Sequence, residues 1–284
     1  MTPDQAFLQA IRETPADDAP RLIYADWLEE HDQPDRAEFI RMQCSLDSMP
    51  AEEPRRADLR QRAAELLQQH WKDWVGPLHE LVGPQASRRG EAWLASGFHP
   101  EYLKYFRRGF VDSLSLSVEA FLDRAAILAS LVPLRHLRLW GAGRRAAELA
   151  ASPLLAGIEM LNFIDYFDSP LTADGAVALA ASPHLGRLIS LDLYKNNIGD
   201  RGAEALTRAP WFRQLRALNL SDSGLSPAGV RAVMAARPPL AVLQLGDNGV
   251  EPTAVQPMGD PTGKDSTGYL SRLANEAHRR GLLR

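Results

Sequence analysis

The stretch that comes closest to a chemical motif is GDPTGKDST, residues 259–267. A phosphate-binding loop has four residues between its glycines and a serine or threonine directly after its lysine, which places backbone N–H groups and a hydroxyl around phosphate and Mg²⁺. Here three residues separate Gly259 from Gly263, and Lys264 is followed by Asp265, whose charge would repel phosphate. The spacing therefore argues against nucleotide binding.

The histidine and cysteine residues show no spacing typical of a metal site or of a catalytic thiol. The only cysteine, Cys44, lies in an apolar, helix-like segment, so we interpret it as a small core residue. The sequence also lacks the G-x-S-x-G and H-E-x-x-H motifs of hydrolases. We therefore predict no metal, no cofactor and no enzymatic activity. The seven histidines are His31, His70, His79, His99, His136, His184 and His278.

Pairs of adjacent arginines could contact phosphate groups, among them Arg88-Arg89, Arg107-Arg108 and Arg144-Arg145. No regular aromatic series lies among them, and the net charge of the chain is −4, so the sequence predicts no nucleic-acid partner. Residues 1–60 hold 7 Lys+Arg against 14 Asp+Glu. That acidic segment could face a basic partner or could simply be a solvated surface.

The composition is that of an ordinary globular protein, with 45% hydrophobic and 24% charged residues. The N-terminal stretch MTPDQAFLQAIRETPADD has no basic segment followed by an apolar run, so we see no signal peptide. No apolar run approaches the ~18 residues that a membrane span needs. These features, with one reduced thiol, predict a cytoplasmic protein without a membrane partner.

The elements that would position a site are repeated units, and the clearest is LISLDLYKNNIGDRGAEAL, residues 188–206. Its apolar residues occupy relative positions 1, 4 and 6, which is neither a helical nor a strictly alternating pattern. The same three positions recur in six segments, whose starts are separated by 23, 24, 30, 27 and 25 residues. A period in this range indicates a solenoid. The segments begin at Val111, Leu134, Ile158, Leu188, Leu215 and Leu240.

Each part of the repeat has a physical reading. Positions 4 and 6 lie on the same face of a short strand. Position 9, which is Asn196, Ser223 or Asn248 in the last three repeats, can use polar atoms to satisfy backbone groups at the turn. Helical segments follow with Gly175, Gly202 and Gly229 in matching places, where small residues allow close packing.

These residues resemble leucine-rich repeats of the ribonuclease-inhibitor type over residues 111–250. The resemblance implies an α/β fold: a right-handed leucine-rich repeat solenoid, or horseshoe, with parallel inner strands and outer helices. The first two repeats depart from the pattern, because position 9 is Glu119 or Ala142. The third repeat is about three residues too long, and we expect its segment Ile164–Leu171 to bulge.

Residues 1–75 predict a small all-α domain before the repeats. Thr2-Pro3-Asp4-Gln5 is a capping box, and Pro20, Pro34 and Pro54 mark further helix starts. The segment RLIYADWLEEHDQPDRAEFIRMQ, residues 21–43, resembles the repeat-companion domain found at the N-terminus of bacterial leucine-rich repeat proteins. We predict a capping domain over residues 1–75, a connector over 76–110, repeats over 111–250, and a loop with a capping helix over 251–284.

In a horseshoe, strand residues between the core positions point away from the core, toward the concave face. Positions 5 and 7 of the middle repeats therefore predict a binding surface rich in the residue types that anchor interfaces. An aromatic residue here could instead fill a gap under an irregular loop. The predicted binding residues are Arg138, Trp140, Asn162, Ile164, Asp192, Tyr194 and Lys195, with Tyr166 and Phe167 leaning over them.

The repeats and the missing catalytic motifs favour a non-enzymatic scaffold that binds a protein partner. The alternative is a GTPase regulator, since similar repeats occur in Ran GTPase-activating proteins; Arg138, Asn162 and Asp192 would then be its polar residues. A third reading gives the N-terminal helices a docking role of their own.

Overall fold

The computed structural model describes residues 2–76, 106–125, 128, 134–164, 169–236 and 240–248. Most of the predicted connector, the Tyr166-Phe167 pair and the predicted C-terminal helix lie outside these residues. The chain divides into two compact units, and the division falls within the strand that begins at Ser113.

The first unit contains four helices: α1 (Pro3–Glu13), α2 (Ala19–Glu30), α3 (Pro34–Ser48) and α4 (Arg55–Val75). The predicted capping box is confirmed. The Thr2 hydroxyl accepts a hydrogen bond from the Gln5 N–H at 3.2 Å, and the Thr2 N–H donates to Gln5 Oε1 at 3.0 Å. Pro3, Pro20 and Pro34 lie in the first turns of their helices, where the missing N–H costs no helical bond.

The helical core is built from apolar residues of α1, α2 and α3, including Ile11, Leu28 and Ile40, all at most 1% exposed. Cys44 belongs to the same cluster, which confirms it as a core residue. Burial raises the pKa of its thiol to about 12, so this thiol is protonated at neutral pH.

A two-stranded antiparallel hairpin, β1 (Phe106–Arg107) and β2 (Phe110–Val111), completes the first unit. Its loop is Arg108-Gly109, and both residues have positive φ, 51° and 90°. Two successive left-handed residues are typical of a type I′ turn. A Cβ at Gly109 would lie 2.5 Å from Ile40 Cγ1 and 2.9 Å from Ile40 Cα, so the hairpin sits on α3 at a distance that only glycine permits.

The arginine pair of this hairpin is bound internally. Arg107 Nε and Arg108 Nε each donate to the Asp47 carboxylate at 2.8 Å. Arg108 Nη1 also donates to the Ala16 carbonyl at 2.6 Å. Burial acts to raise the pKa of Asp47, but the bonds and charges of the two arginines outweigh it and lower the pKa to about 2. This pair therefore fastens the hairpin and does not offer a phosphate site.

The second unit is built from strands and helices in alternation. Its strands form one six-stranded sheet in the order β3-β4-β5-β6-β7-β8, and neighbouring strands from β4 to β8 pair in parallel. The elements are β3 (Ser113–Ser117), α5 (Val118–Asp123), β4 (His136–Trp140), α6 (Ala146–Ala150), β5 (Met160–Phe163), α7 (Ala173–Ala180), β6 (Ser190–Asp192), α8 (Gly199–Arg208), β7 (Ala217–Asn219), α9 (Pro227–Ala235) and β8 (Val242–Gln244), with short 3₁₀ turns at Pro153–Gly157 and Phe212–Gln214.

Most of the predicted core positions of the repeat are buried, whereas Leu134, Leu240 and Leu243 are half-buried. Positions 1, 4 and 6 of the fourth repeat, Leu188, Leu191 and Leu193, are at most 1% exposed, and Ile198 at position 11 is fully buried. The helices pack on their neighbours in the order of the sequence. At Gly202 an added Cβ would lie 3.0 Å from the Ala176 Cβ of the preceding helix, which confirms that a small residue permits this approach.

The position-9 side chains satisfy backbone groups of adjacent repeats, as predicted. Asn196 Oδ1 accepts from the Leu171 N–H at 2.8 Å, and Asn196 Nδ2 donates to the Phe163 carbonyl at 3.0 Å. Asn248 Oδ1 likewise accepts from the Ser223 and Leu225 N–H groups. Ser223 Oγ donates to the Leu193 carbonyl at 2.8 Å, so these side chains form a ladder of hydrogen bonds that links each of the last three repeats to the one before it.

The extra length of the third repeat is visible in the same ladder. Asn248 bonds the N–H of Leu225, which is position 11 of its repeat, and Asn196 bonds Leu171, which occupies the equivalent place. Position 11 counted from Ile158 would be residue 168, so the repeat carries three additional residues before it rejoins the pattern. Residues 165–168 lie outside the described part of the chain.

Candidate interaction surface

One face of the sheet carries an in-register row of polar side chains, here called the position-5 row. Each member pairs with the next across adjacent parallel strands, and alternation along a strand places the row on the face opposite the core leucines. Adjacent strands lie ~4.8 Å apart, so neighbouring side chains can contact each other. The row consists of Arg138, Asn162, Asp192, Asn219 and Gln244.

Asp192 lies at the centre of the row and is 3% exposed. Its Oδ2 accepts from Asn162 Nδ2 at 3.1 Å, and its Oδ1 accepts from the Tyr194 N–H at 3.0 Å. Asn219, one strand further, makes the same turn contact, because its Oδ1 accepts from the Ser221 N–H at 3.0 Å. Position 5 therefore caps the end of its own strand as well as facing away from the leucines.

Burial raises the pKa of Asp192 to about 6, although the Tyr194 N–H, the charge of Arg138 and a bond with Asn219 act in the opposite direction. The desolvation of the carboxylate outweighs these contacts because Arg138 is two strands away in the sheet. A carboxyl group with this pKa changes charge within the range of ordinary buffers.

Tyr194 and Lys195 follow β6 and form the most accessible part of the predicted surface. Tyr194 is half-buried, Lys195 is exposed, and Lys195 Nζ lies 5.2 Å from the centroid of the Tyr194 ring. Lys195 has a φ of 57°. The same position 8 is left-handed in three other repeats, at Gly141, Asp222 and Asp247, so the strand exit has one recurring backbone geometry.

The residues of the predicted surface differ in exposure. Arg138, Asn162 and Ile164 are half-buried, as Tyr194 is. Trp140 is only 5% exposed, and Asp192 only 3%. Alternation along a strand determines on which face of the sheet a side chain lies. Neighbouring groups can still cover a side chain on that face, as the burial of Trp140 and Asp192 shows.

Position 3 was not among the predicted binding residues. In β4 and β5 it is His136 and Met160, which are half-buried beside Arg138 and Asn162. Their signal was present in the alternation, since residues two apart in a strand share a face. In β7 and β8 the same position is Ala217 and Val242, which form a small buried apolar cluster.

Within the described residues, no group of three or more histidine, cysteine, aspartate or glutamate side chains could hold a metal ion. None of the helices described above is long and apolar enough to cross a membrane.

Comparison with known families matches a leucine rich repeat model to residues 188–206, which contain β6, the Asn196 turn and most of α8. No curated protein matches the chain. The match and the parallel sheet support a leucine-rich repeat protein with a mixed α/β fold. Such repeats are consistent with a protein–protein interaction role.

The GTPase-regulator alternative stays a prediction. Two of its three candidate residues, Asn162 and Asp192, are hydrogen-bonded to each other.

Proposed function

We propose that the chain is a non-enzymatic, cytoplasmic interaction module that binds a protein partner. In this proposal the repeats form a right-handed horseshoe of the ribonuclease-inhibitor type, with parallel inner strands, outer helices and an N-terminal repeat-companion domain. The left-handed strand exits and the hydrogen-bond ladder support a regular stack. The right-handed sense is proposed because connections between parallel strands of one sheet are nearly always right-handed.

The partner binds the concave face at Arg138, Asn162, Ile164, Tyr194 and Lys195. The observation that carries this assignment is the in-register row, which places Arg138 and Asn162 on one face with the Tyr194-Lys195 pair at the next strand exit. Tyrosine and arginine are the residue types that most often dominate interface energies. Trp140 and Asp192 are left out of this contact set because both are buried.

The test begins with affinity purification of the full chain from its native cell and mass spectrometry of the captured proteins. The affinity of the purified partner is then measured for Arg138→Ala and Tyr194→Ala. Loss of one hot-spot side chain costs on the order of 2 kcal/mol, so each variant should bind more than tenfold more weakly.

Arg208→Ala serves as the matched control, because Arg208 lies on α8 with its side chain 75% exposed. Equal affinities for wild type and both surface variants, with unchanged circular dichroism, would remove the concave face from the proposal.

A further inference from the structure

A second surface lies on α2, in the helical unit, and shares no residue with the position-5 row. The α2 patch is defined as Leu22, Ile23, Asp26, Trp27, Glu29 and Glu30. Leu22 is 39% exposed and Ile23 is 57% exposed. Large apolar side chains that are exposed side by side are common at interaction sites, whereas isolated ones are ordinary.

The apolar part of the patch extends beyond these two residues. Trp27 lies one helical turn after Ile23, on the same side of α2, and is half-buried. Its ring centroid is 5.7 Å from that of Phe7, which is also half-buried. A partner that covers Ile23 would therefore meet a continuous apolar surface.

The other end of α2 is acidic. Asp26 and Glu29 have side chains 67% and 55% exposed, and Glu30 is exposed as well. Arg41 binds both Asp26, at 2.7 Å, and Glu29, at 2.6 Å. Three carboxylates with one guanidinium leave a net charge of −2 at this end of the helix.

This placement of charge opposes the stability of α2 itself. The C-terminal end of a helix carries partial negative charge, which favours basic residues there and disfavours acidic ones. The last turn of α2 has no basic residue, and its first turn has no acidic one. Arg41 offsets only part of this charge, so an excess of negative charge remains at a helix end that favours positive charge.

We propose that the α2 patch is a docking site for a basic amphipathic helix of another protein. An apolar side chain of that helix packs on Leu22 and Ile23, and lysine or arginine side chains pair with Glu29 and Glu30. Glu30 lies seven positions after Ile23, which is about 10 Å along α2. The charge complementarity extends over the acidic segment of residues 1–60, with 7 Lys+Arg against 14 Asp+Glu.

The probe is a labelled 14-residue peptide of leucine and lysine with its leucines at helical spacing, titrated with the full chain and followed by fluorescence anisotropy. Two further peptides accompany it: one with every lysine replaced by glutamate, and one of the same composition with the helical spacing scrambled. The amphipathic basic peptide should bind at least tenfold more tightly than either.

Two pairs of variants separate the apolar and the charged contributions. Leu22→Ser with Ile23→Ser should weaken binding at least tenfold, while Met234→Ser, at an apolar residue 43% exposed in the other unit, should leave it unchanged. The double variant Glu29→Gln with Glu30→Gln should bind the basic peptide more weakly, and its affinity should depend less on salt concentration. Glu52→Gln with Asp58→Asn removes the same charge at exposed positions elsewhere and should change the affinity less than twofold.

Several outcomes would overturn the proposal. They are the absence of binding by the amphipathic peptide, equal binding by the scrambled peptide, unchanged affinity of the Leu22/Ile23 variant, and equal weakening by the Glu52/Asp58 variant. Analytical sedimentation of the chain alone provides a further outcome that would overturn the proposal. If the chain associates with itself and this association requires Ile23, the α2 patch binds a second copy of the chain. None of these results bears on the concave-face proposal, since its residues lie in the other unit.

Discussion

The helical unit and the repeat unit are stabilised by different kinds of contact. In the helical unit, the hairpin is held by contacts that occur once, such as the bonds of Arg107 and Arg108 to Asp47, about 60 residues earlier in the chain. In the repeat unit the same contact occurs more than once, at Asn196 of the fourth repeat and at Asn248 of the sixth. Loss of one contact should therefore affect the whole helical unit, whereas a repeat array loses one of several similar interfaces.

The largest effect is expected at Asp47. Asp47→Ala removes the carboxylate that pairs with both Arg107 and Arg108 at 2.8 Å, and it leaves the buried Arg108 guanidinium with Asp18, at 3.3 Å, as its remaining carboxylate. Removal of one partner from a buried ion pair costs up to about 3–5 kcal/mol. Urea denaturation followed by circular dichroism measures the change. Asp26→Ala is the control, because the Asp26 carboxylate is 67% exposed and its loss should cost less than about 1 kcal/mol.

The same carboxylate predicts a dependence on pH. The pKa of Asp47 is lowered from 3.8 to about 2 in the folded state, so its contribution to stability is present above the unfolded value and is lost as the pH falls through that interval. Acid titration of Asp47→Asn should lack this component. An identical acid profile for wild type and variant would contradict the assignment.

A smaller effect is expected at Asn196 in the repeat unit. Asn196→Ala removes bonds to Leu171 N–H and to the Phe163 and Tyr194 carbonyls, and buried groups left unpaired cost about 1–3 kcal/mol. Asn197→Ala, at an exposed neighbour, should cost less than about 0.5 kcal/mol. If both variants unfold at the same urea concentration, the ladder does not stabilise the stack.

Asp192→Asn is expected to stabilise the protein at pH 7. The pKa of Asp192 is raised from 3.8 to about 6, so its contribution is favourable below the unfolded value and is lost as the pH rises through the folded one. Asn219 shows that an amide fits the same place in the next strand. We expect a gain of about 1–3 kcal/mol at pH 7 and a flatter stability profile between those pKa values. A loss of stability at pH 7 would show that the charged form is preferred.

The smallest effect is expected at Lys195, whose φ of 57° is unfavourable for a residue with a side chain. Lys195→Gly should be about 1 kcal/mol more stable than Lys195→Ala, since only glycine adopts this conformation freely. Thermal denaturation of the two variants gives their difference in stability. The loss of the cation beside Tyr194 does not contribute to this difference, because both variants lose it. Equal melting temperatures would contradict a strained turn.

Much of the fold could be predicted because its signals are local. The capping box at Thr2, the burial of Leu191 and Leu193, and the role of Asn196 all follow from spacing within one segment. The candidate surface was predicted less well. The spacing assigned Trp140 and Asp192 to the correct strands, but it could not tell how far their neighbours would cover them.

The amino-acid sequence by itself determined where strands and helices begin, which residues face the core, and where the third repeat is too long. Periodicity carries that information because a strand and a helix repeat at fixed intervals. Only the tertiary structure decided that Arg107 and Arg108 bind Asp47, that Asp192 is buried beside Asn162, and that Ile23 stays exposed. Those outcomes depend on groups brought together from distant parts of the chain, and no local period records them.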